Sequence, residues 1–182
     1  MKKHLTVFLV FIASVSFSQK ELRIADWKPG ETKTIEGISI YRAEGENSDK
    51  SITNIGYQTA EQMMAQIKEG AKKGSWKKEK LNHELDKYRV HNKGGIIKLY
   101  IQREDAMTAN LENYTVVIKT KEEQEIQARK LKEKTPNKLS DGGGWKNQTH
   151  VWIKEKTERP FEIYVHDDSQ AVRKTYKFEV TK

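Results

Sequence analysis

Residues His150–His166, HVWIKEKTERPFEIYVH, decide how this chain folds. Val151 and Ile153 alternate with polar residues before the break, and Phe161, Ile163 and Val165 alternate after it. A period of two is the signature of a strand with one face buried. Setting Lys156 opposite Pro160, with Thr157–Arg159 as the loop, predicts a hairpin. Val151 then faces Val165, and Ile153 faces Ile163. On the reverse side Lys154 meets Glu162, Trp152 meets Tyr164, and His150 meets His166. Sliding one strand by a single residue would mix the two faces, so this register is the self-consistent one. Pro160 at a strand start loses no ladder bond that matters.

The run just upstream, DGGGWKNQT (141–149), invites comparison with a phosphate-binding loop. Such loops place glycine N–H groups before a helix and need either a Lys-Ser/Thr pair or a spaced third glycine. Neither is present, and a strand follows. The glycines are therefore read as a bend feeding that strand.

Other short strands surround the pair: IIKLYIQ (96–102), YTVVIKT (114–120), EIQARKL (125–131, a poorer, edge-like strand) and RKTYKFEV (173–180). Near the start, LRIADWKPGETKTIEGISIY reads as two strands about Pro29-Gly30, a pair suited to the centre of a type II turn. Polar residues 42–54 read as a loop. Between early and late strands lie two helices. The first, TAEQMMAQIKEG, has Thr59 and Gln62 placed for a capping box, an apolar face of Ala60, Met63, Met64 and Ile67, and Gly70 as its terminator. The second is predicted from about Trp76 to Val90, capped by Ser75, with a narrow stripe of Leu81, Leu85 and Tyr88. Strands at this spacing predict a mainly β chain: an antiparallel β-sandwich with a two-helix insertion at about 59–91. The layout is similar to the general class of immunoglobulin-like or C2-like sandwiches, a likeness of architecture that implies no function.

The first residues, MKKHLTVFLVFIASVSFS, combine a positive start, a short apolar run and small residues at the exit. That pattern predicts a cleaved signal peptide over 1–18, leaving one domain over 19–182 that is exported to the periplasm or beyond. No later stretch reaches the roughly 20 apolar residues of a membrane helix. The chain has no cysteine, which removes disulfides, thiol chemistry and a lipoprotein anchor. The formal net charge is +8, and it is local. Within 72–93, Lys72, Lys73, Lys77, Lys78, Lys80, Lys87, Arg89 and Lys93 stand against Glu79, Glu84 and Asp86.

Catalytic motifs fail one by one. HELDK (83–87) starts like a zinc-protease helix, but lysine occupies the second histidine's place. No nucleophile elbow occurs. HDDSQ (166–170) offers oxygens for calcium, yet Asp and Ser equally make turns. The expectation is an exported non-enzymatic binding or accessory module of a bacterial envelope, without cofactor or metal. Trp145, Trp152, Tyr164, His150 and His166 are its candidate recognition platform for a glycan or protein. Lys72, Lys73, Lys77, Lys78 and Lys80 are its electrostatic surface toward an anionic envelope, and no nucleic-acid partner is expected outside the cell. The alternatives are a hydrolase assembled from residues distant in sequence and a structural envelope protein that pairs through a sandwich edge.

Overall fold

The computed structural model describes residues 28–35, 38–43, 51–140 and 142–181. The predicted signal peptide, the rest of the segment before Lys28, and residues 44–50 of the predicted loop lie outside the described residues. Among the described residues, ten strands and two α-helices follow one another: β1 (Thr32–Ile35), β2 (Ile38–Arg42), β3 (Ile52–Gln58), α1 (Ala60–Lys73), α2 (Lys78–Asp86), β4 (Gly95–Arg103), β5 (Tyr114–Thr120), β6 (Glu125–Lys130), β7 (Asn137–Lys138), β8 (Trp145–Ile153), β9 (Phe161–Asp167) and β10 (Lys174–Val180). They form two antiparallel sheets, ordered β1-β2-β3-β4-β8-β7 and β10-β9-β5-β6. The helices are an insertion between β3 and β4. This is the β-sandwich that the alternation predicts.

Between the sheets, every second residue points inward. Ile97, Leu99 and Ile101 of β4, Val151 and Ile153 of β8, and Ile163 and Val165 of β9 have no accessible surface at all. Tyr57 and Phe161 meet edge to face across the sandwich at 5.2 Å. Burial pushes the Tyr57 hydroxyl up to about 12, and that hydroxyl donates to the Gly94 carbonyl at 3.0 Å.

One expectation is overturned. β8 and β9 do not pair with each other. β8 runs beside β4 over nine residues, Gly95↔Ile153 to Arg103↔Trp145. β9 lies between β5 and β10 in the other sheet, with Val165 opposite Val116 and Tyr176. Residues 154–160 cross from one sheet to the other. The reason is physical. Alternation fixes which side of a strand is buried, and a crossover between facing sheets keeps the same residues inward. It cannot fix the neighbour, and β4 offers β8 a longer ladder.

The glycine reading stands. Gly142 and Gly144 have φ of 74° and 101°, and β8 begins at once after them. A β-carbon on Gly144 would lie 2.3 Å from the Arg103 carbonyl oxygen.

α1 begins with the expected capping box: Gln62 N–H donates to the Thr59 hydroxyl at 3.1 Å, and the Thr59 N–H donates to the Gln62 side chain at 2.8 Å. Its buried residues are Ala60, Met63, Ile67 and Ala71. The helix does not stop at Gly70 but continues to Lys73 and ends on Gly74. Helical hydrogen bonds outweigh one glycine's entropy there. Since nothing lies within 4 Å of a β-carbon placed on Gly70, Gly70→Ala is expected to raise stability by about 0.5–1 kcal/mol, measured by urea unfolding. α2 is shorter than predicted. Ser75 has φ of 47° and caps nothing, Lys77 holds the N-cap position without a side-chain bond, and residues Lys87–His91 widen into a π turn. Leu85 and Tyr88 join the α1 face over Ile96, with Trp152, Trp76 and Leu81 partly buried beside them.

Candidate functional site

The five residues of the predicted platform do not come together. His150 and Trp152 lie on the outer side of the six-stranded sheet, whereas Tyr164 and His166 lie on the outer side of the four-stranded one, facing away from them. The error follows directly from the misassigned strand pairing. Trp145, at the start of β8, shares the inward parity of Val151 and has Lys138 Nζ 5.9 Å from its ring.

On the four-stranded sheet, Tyr164 and His166 stack nearly parallel with centroids 6.4 Å apart. Tyr164 donates to Glu162 at 2.6 Å, a bond that raises its pKa. Lys177 binds Glu162 at 2.7 Å, and Lys119 and Lys177 stand 5.1 and 5.7 Å from the Tyr164 ring. The expected Lys154–Glu162 contact is not formed. This row is internally satisfied, each charge answered by a neighbour.

On the other side, Trp152 packs against Tyr88 at 5.3 Å and a tilt of 55°, under the helical insertion. It stays half-buried. His150 sits opposite Lys98 in the ladder. Partial desolvation of its ring lowers its pKa, and the Lys98 and Lys134 charges add to that.

The lysine-rich segment is sorted by its ion pairs. Lys73 is held by Glu69 at 2.7 Å, Lys87 by Glu84 at 2.6 Å, and Arg89 by Asp86 at 3.6 Å. Lys73 therefore drops out of the free set. Lys72, Lys77, Lys78 and Lys80 remain exposed, with no salt bridge among the described residues, although the Glu69 charge also feels Lys72. The fold gathers them because α1 ends at Lys73 and α2 starts at Lys78. Lys80 Nζ lies 4.0 Å from the Trp76 ring, a cation–π contact. Lysines crowd the uncapped start of α2, the end where the helix dipole disfavours cations. A stability argument alone would not put them there.

Beside the start of α1 a cleft of about 240 Å³ is lined by Tyr57, Glu61, Lys93, Lys156 and Arg159 among others. Its carboxylate, Glu61, is kept ionised by its own backbone N–H, the Thr59 hydroxyl and the Lys156 and Arg159 charges. It is a poor general acid.

Two polar residues escaped the sequence reading. Arg103 is buried between the sheets and donates to the Ile52 carbonyl at 3.0 Å, Thr53 Oγ1 at 2.8 Å, Asp167 Oδ2 at 3.0 Å and the Tyr176 hydroxyl at 3.3 Å. Parity could have found it, because Arg103 continues the inward series Ile97, Leu99, Ile101, just as Asp167 continues Ile163, Val165. HDDSQ is accordingly the end of β9 and the bend that leaves it, with Ser169 N–H on Asp167 Oδ1 at 3.0 Å and Arg173 on Asp168.

The chain matches no known family model, no curated protein and no solved structure.

Proposed function

We propose that this chain is an exported, non-enzymatic binding module that rests against an anionic envelope membrane through the α1–α2 corner. One observation carries the reading: Lys72, Lys77, Lys78 and Lys80 are exposed at one corner, and none of them is in a salt bridge among the described residues. Lys73, Lys87 and Lys177, by contrast, are held by Glu69, Glu84 and Glu162. Trp76 adds a half-buried indole at the same corner, the kind of side chain that suits a boundary between apolar and wet surroundings. The leader-like start of the sequence supports export. No described helix is long and apolar enough to cross a membrane.

Each lysine close to an anionic leaflet is worth about 1 kcal/mol, so four give roughly 4 kcal/mol, or about a thousandfold in partitioning. Glu79 subtracts from that. The attraction decays within a Debye length of about 8 Å at physiological salt. Co-sedimentation of the purified protein with phosphatidylglycerol-containing vesicles tests it. Binding is expected at about 0.05 M salt, loss of it at about 0.5 M, and none with purely zwitterionic vesicles. Equal binding to both vesicle types, or binding indifferent to salt, contradicts the proposal.

A further inference from the structure

The open seam between the two sheets, on the side where β6 and β8 approach, contains a groove of about 330 Å³ lined by Asn92, Gln127, Ala128, Arg129, Trp152 and Lys154. Its floor is fixed. β8 is paired with β7 only at Trp145 and Lys146, so its outer edge is otherwise open. Gln127 covers that edge as a peptide would: its side-chain N–H donates to the Trp152 carbonyl at 2.9 Å, and its oxygen accepts from Lys154 N–H at 3.2 Å. Asn92 is held by donating to the Lys87 carbonyl at 2.7 Å. The indole of Trp152 is braced from behind by Tyr88 and keeps part of its surface on the groove.

Two cations complete the groove. Arg129 and Lys154 are both exposed, and neither has an acidic partner among the described residues. Gln127 and Arg129 stand opposite Ile118 and Val116, which places both on the side of β6 that looks toward the other sheet. A braced aromatic surface, fixed amides and two unanswered cations, in a space of this size, define a ligand with an apolar ring face, hydroxyls and a carboxylate. We infer that this groove binds an acidic saccharide, a uronic-acid-bearing mono- or disaccharide, with the sugar face on Trp152 and the carboxylate on Arg129 and Lys154. The site deepens the binding-module reading and does not depend on the lysine corner.

Titration of the purified protein with digalacturonate, followed by calorimetry, tests it, with neutral lactose as the control. Binding of digalacturonate is expected at least about tenfold tighter than lactose, because the sugar contributes its charge only at these two side chains. Arg129→Ala and Lys154→Ala are each expected to weaken digalacturonate about tenfold or more. Both residues are exposed, so their removal leaves the fold intact, which far-UV circular dichroism checks. A variant carrying Lys72→Gln, Lys77→Gln, Lys78→Gln and Lys80→Gln should bind the sugar like the parent while losing vesicle binding. The inference is overturned by no digalacturonate binding, by equal binding of lactose, by unchanged affinity in both groove variants, or by loss of sugar binding in the lysine-corner variant.

Discussion

Arg103→Met is expected to cost about 3–5 kcal/mol of unfolding free energy, the loss typical of one partner removed from a buried ion pair. Arg103 and Asp167 are each almost wholly shielded from water, and their side chains meet at 3.0 Å. With Arg103 gone, the Asp167 carboxyl group is left in the sandwich interior without its cation. The Ile52 carbonyl and the Tyr176 hydroxyl also lose a donor. The guanidinium lies 5.6 Å from both the Tyr114 and Tyr176 rings, so packing is lost as well. For a chain of 182 residues, such a loss lowers the melting temperature by roughly 10 °C or more. Asp167→Leu alone should cost a similar amount. The double variant Arg103→Met with Asp167→Leu should lose clearly less than the sum, because no isolated charge is left behind. Urea unfolding of the three variants measures this, and a single-variant loss under about 1 kcal/mol would show that the network is not holding the sheets together.

Gly95→Ala is expected to be the most damaging of the conservative substitutions, at about 3 kcal/mol or more. Gly95 has φ of 96°, where a β-carbon is strained whatever the space around it. Here the space is also taken: that β-carbon would sit 2.2 Å from the Gln58 carbonyl oxygen and 3.0 Å from the Thr59 backbone. Gln58 and Thr59 belong to the end of β3 and the cap of α1. Relief would therefore have to disturb either the β3–β4 ladder, in which Gln58 stands opposite Ile96, or the capping box. Gly70→Ala, in open space on α1, should move stability in the opposite direction. The pair of measurements separates backbone geometry from the general cost of replacing glycine. Parent-like stability of the Gly95 variant would mean that the turn into β4 is built differently.

How far the sequence could be read depends on the kind of information each residue carries. Facing is local: the alternation of Val151, Ile153, Ile163 and Val165 names the buried side without reference to any neighbour, and all four are inside. The capping box at Thr59 is local too, needing only four consecutive positions. Partnership is not local. Val151 and Val165 would be inward whether their strands paired side by side or faced each other across the sandwich, so the register could be self-consistent and still belong to no real hairpin. The candidate platform inherited that ambiguity, because Trp152 and Tyr164 share a face only if their strands share a sheet. The lysine segment mixes the two kinds of information. Its composition was plain in 72–93, but which lysines are free depended on the helix boundaries, which put Glu69 one turn from Lys73 and Glu84 near Lys87. The groove at Trp152 was out of reach, since it needs β6 of one sheet beside β8 of the other.

Membrane contact through the α1–α2 corner is tested most directly by comparing the parent protein with the variant carrying Lys72→Gln, Lys77→Gln, Lys78→Gln and Lys80→Gln in co-sedimentation with phosphatidylglycerol-containing vesicles at low salt. At about 1 kcal/mol per lysine, the partition coefficient of the variant should fall by a factor of 100 to 1,000 or so, with unchanged circular dichroism. A variant that is folded and binds the vesicles within about twofold of the parent would contradict the proposed function.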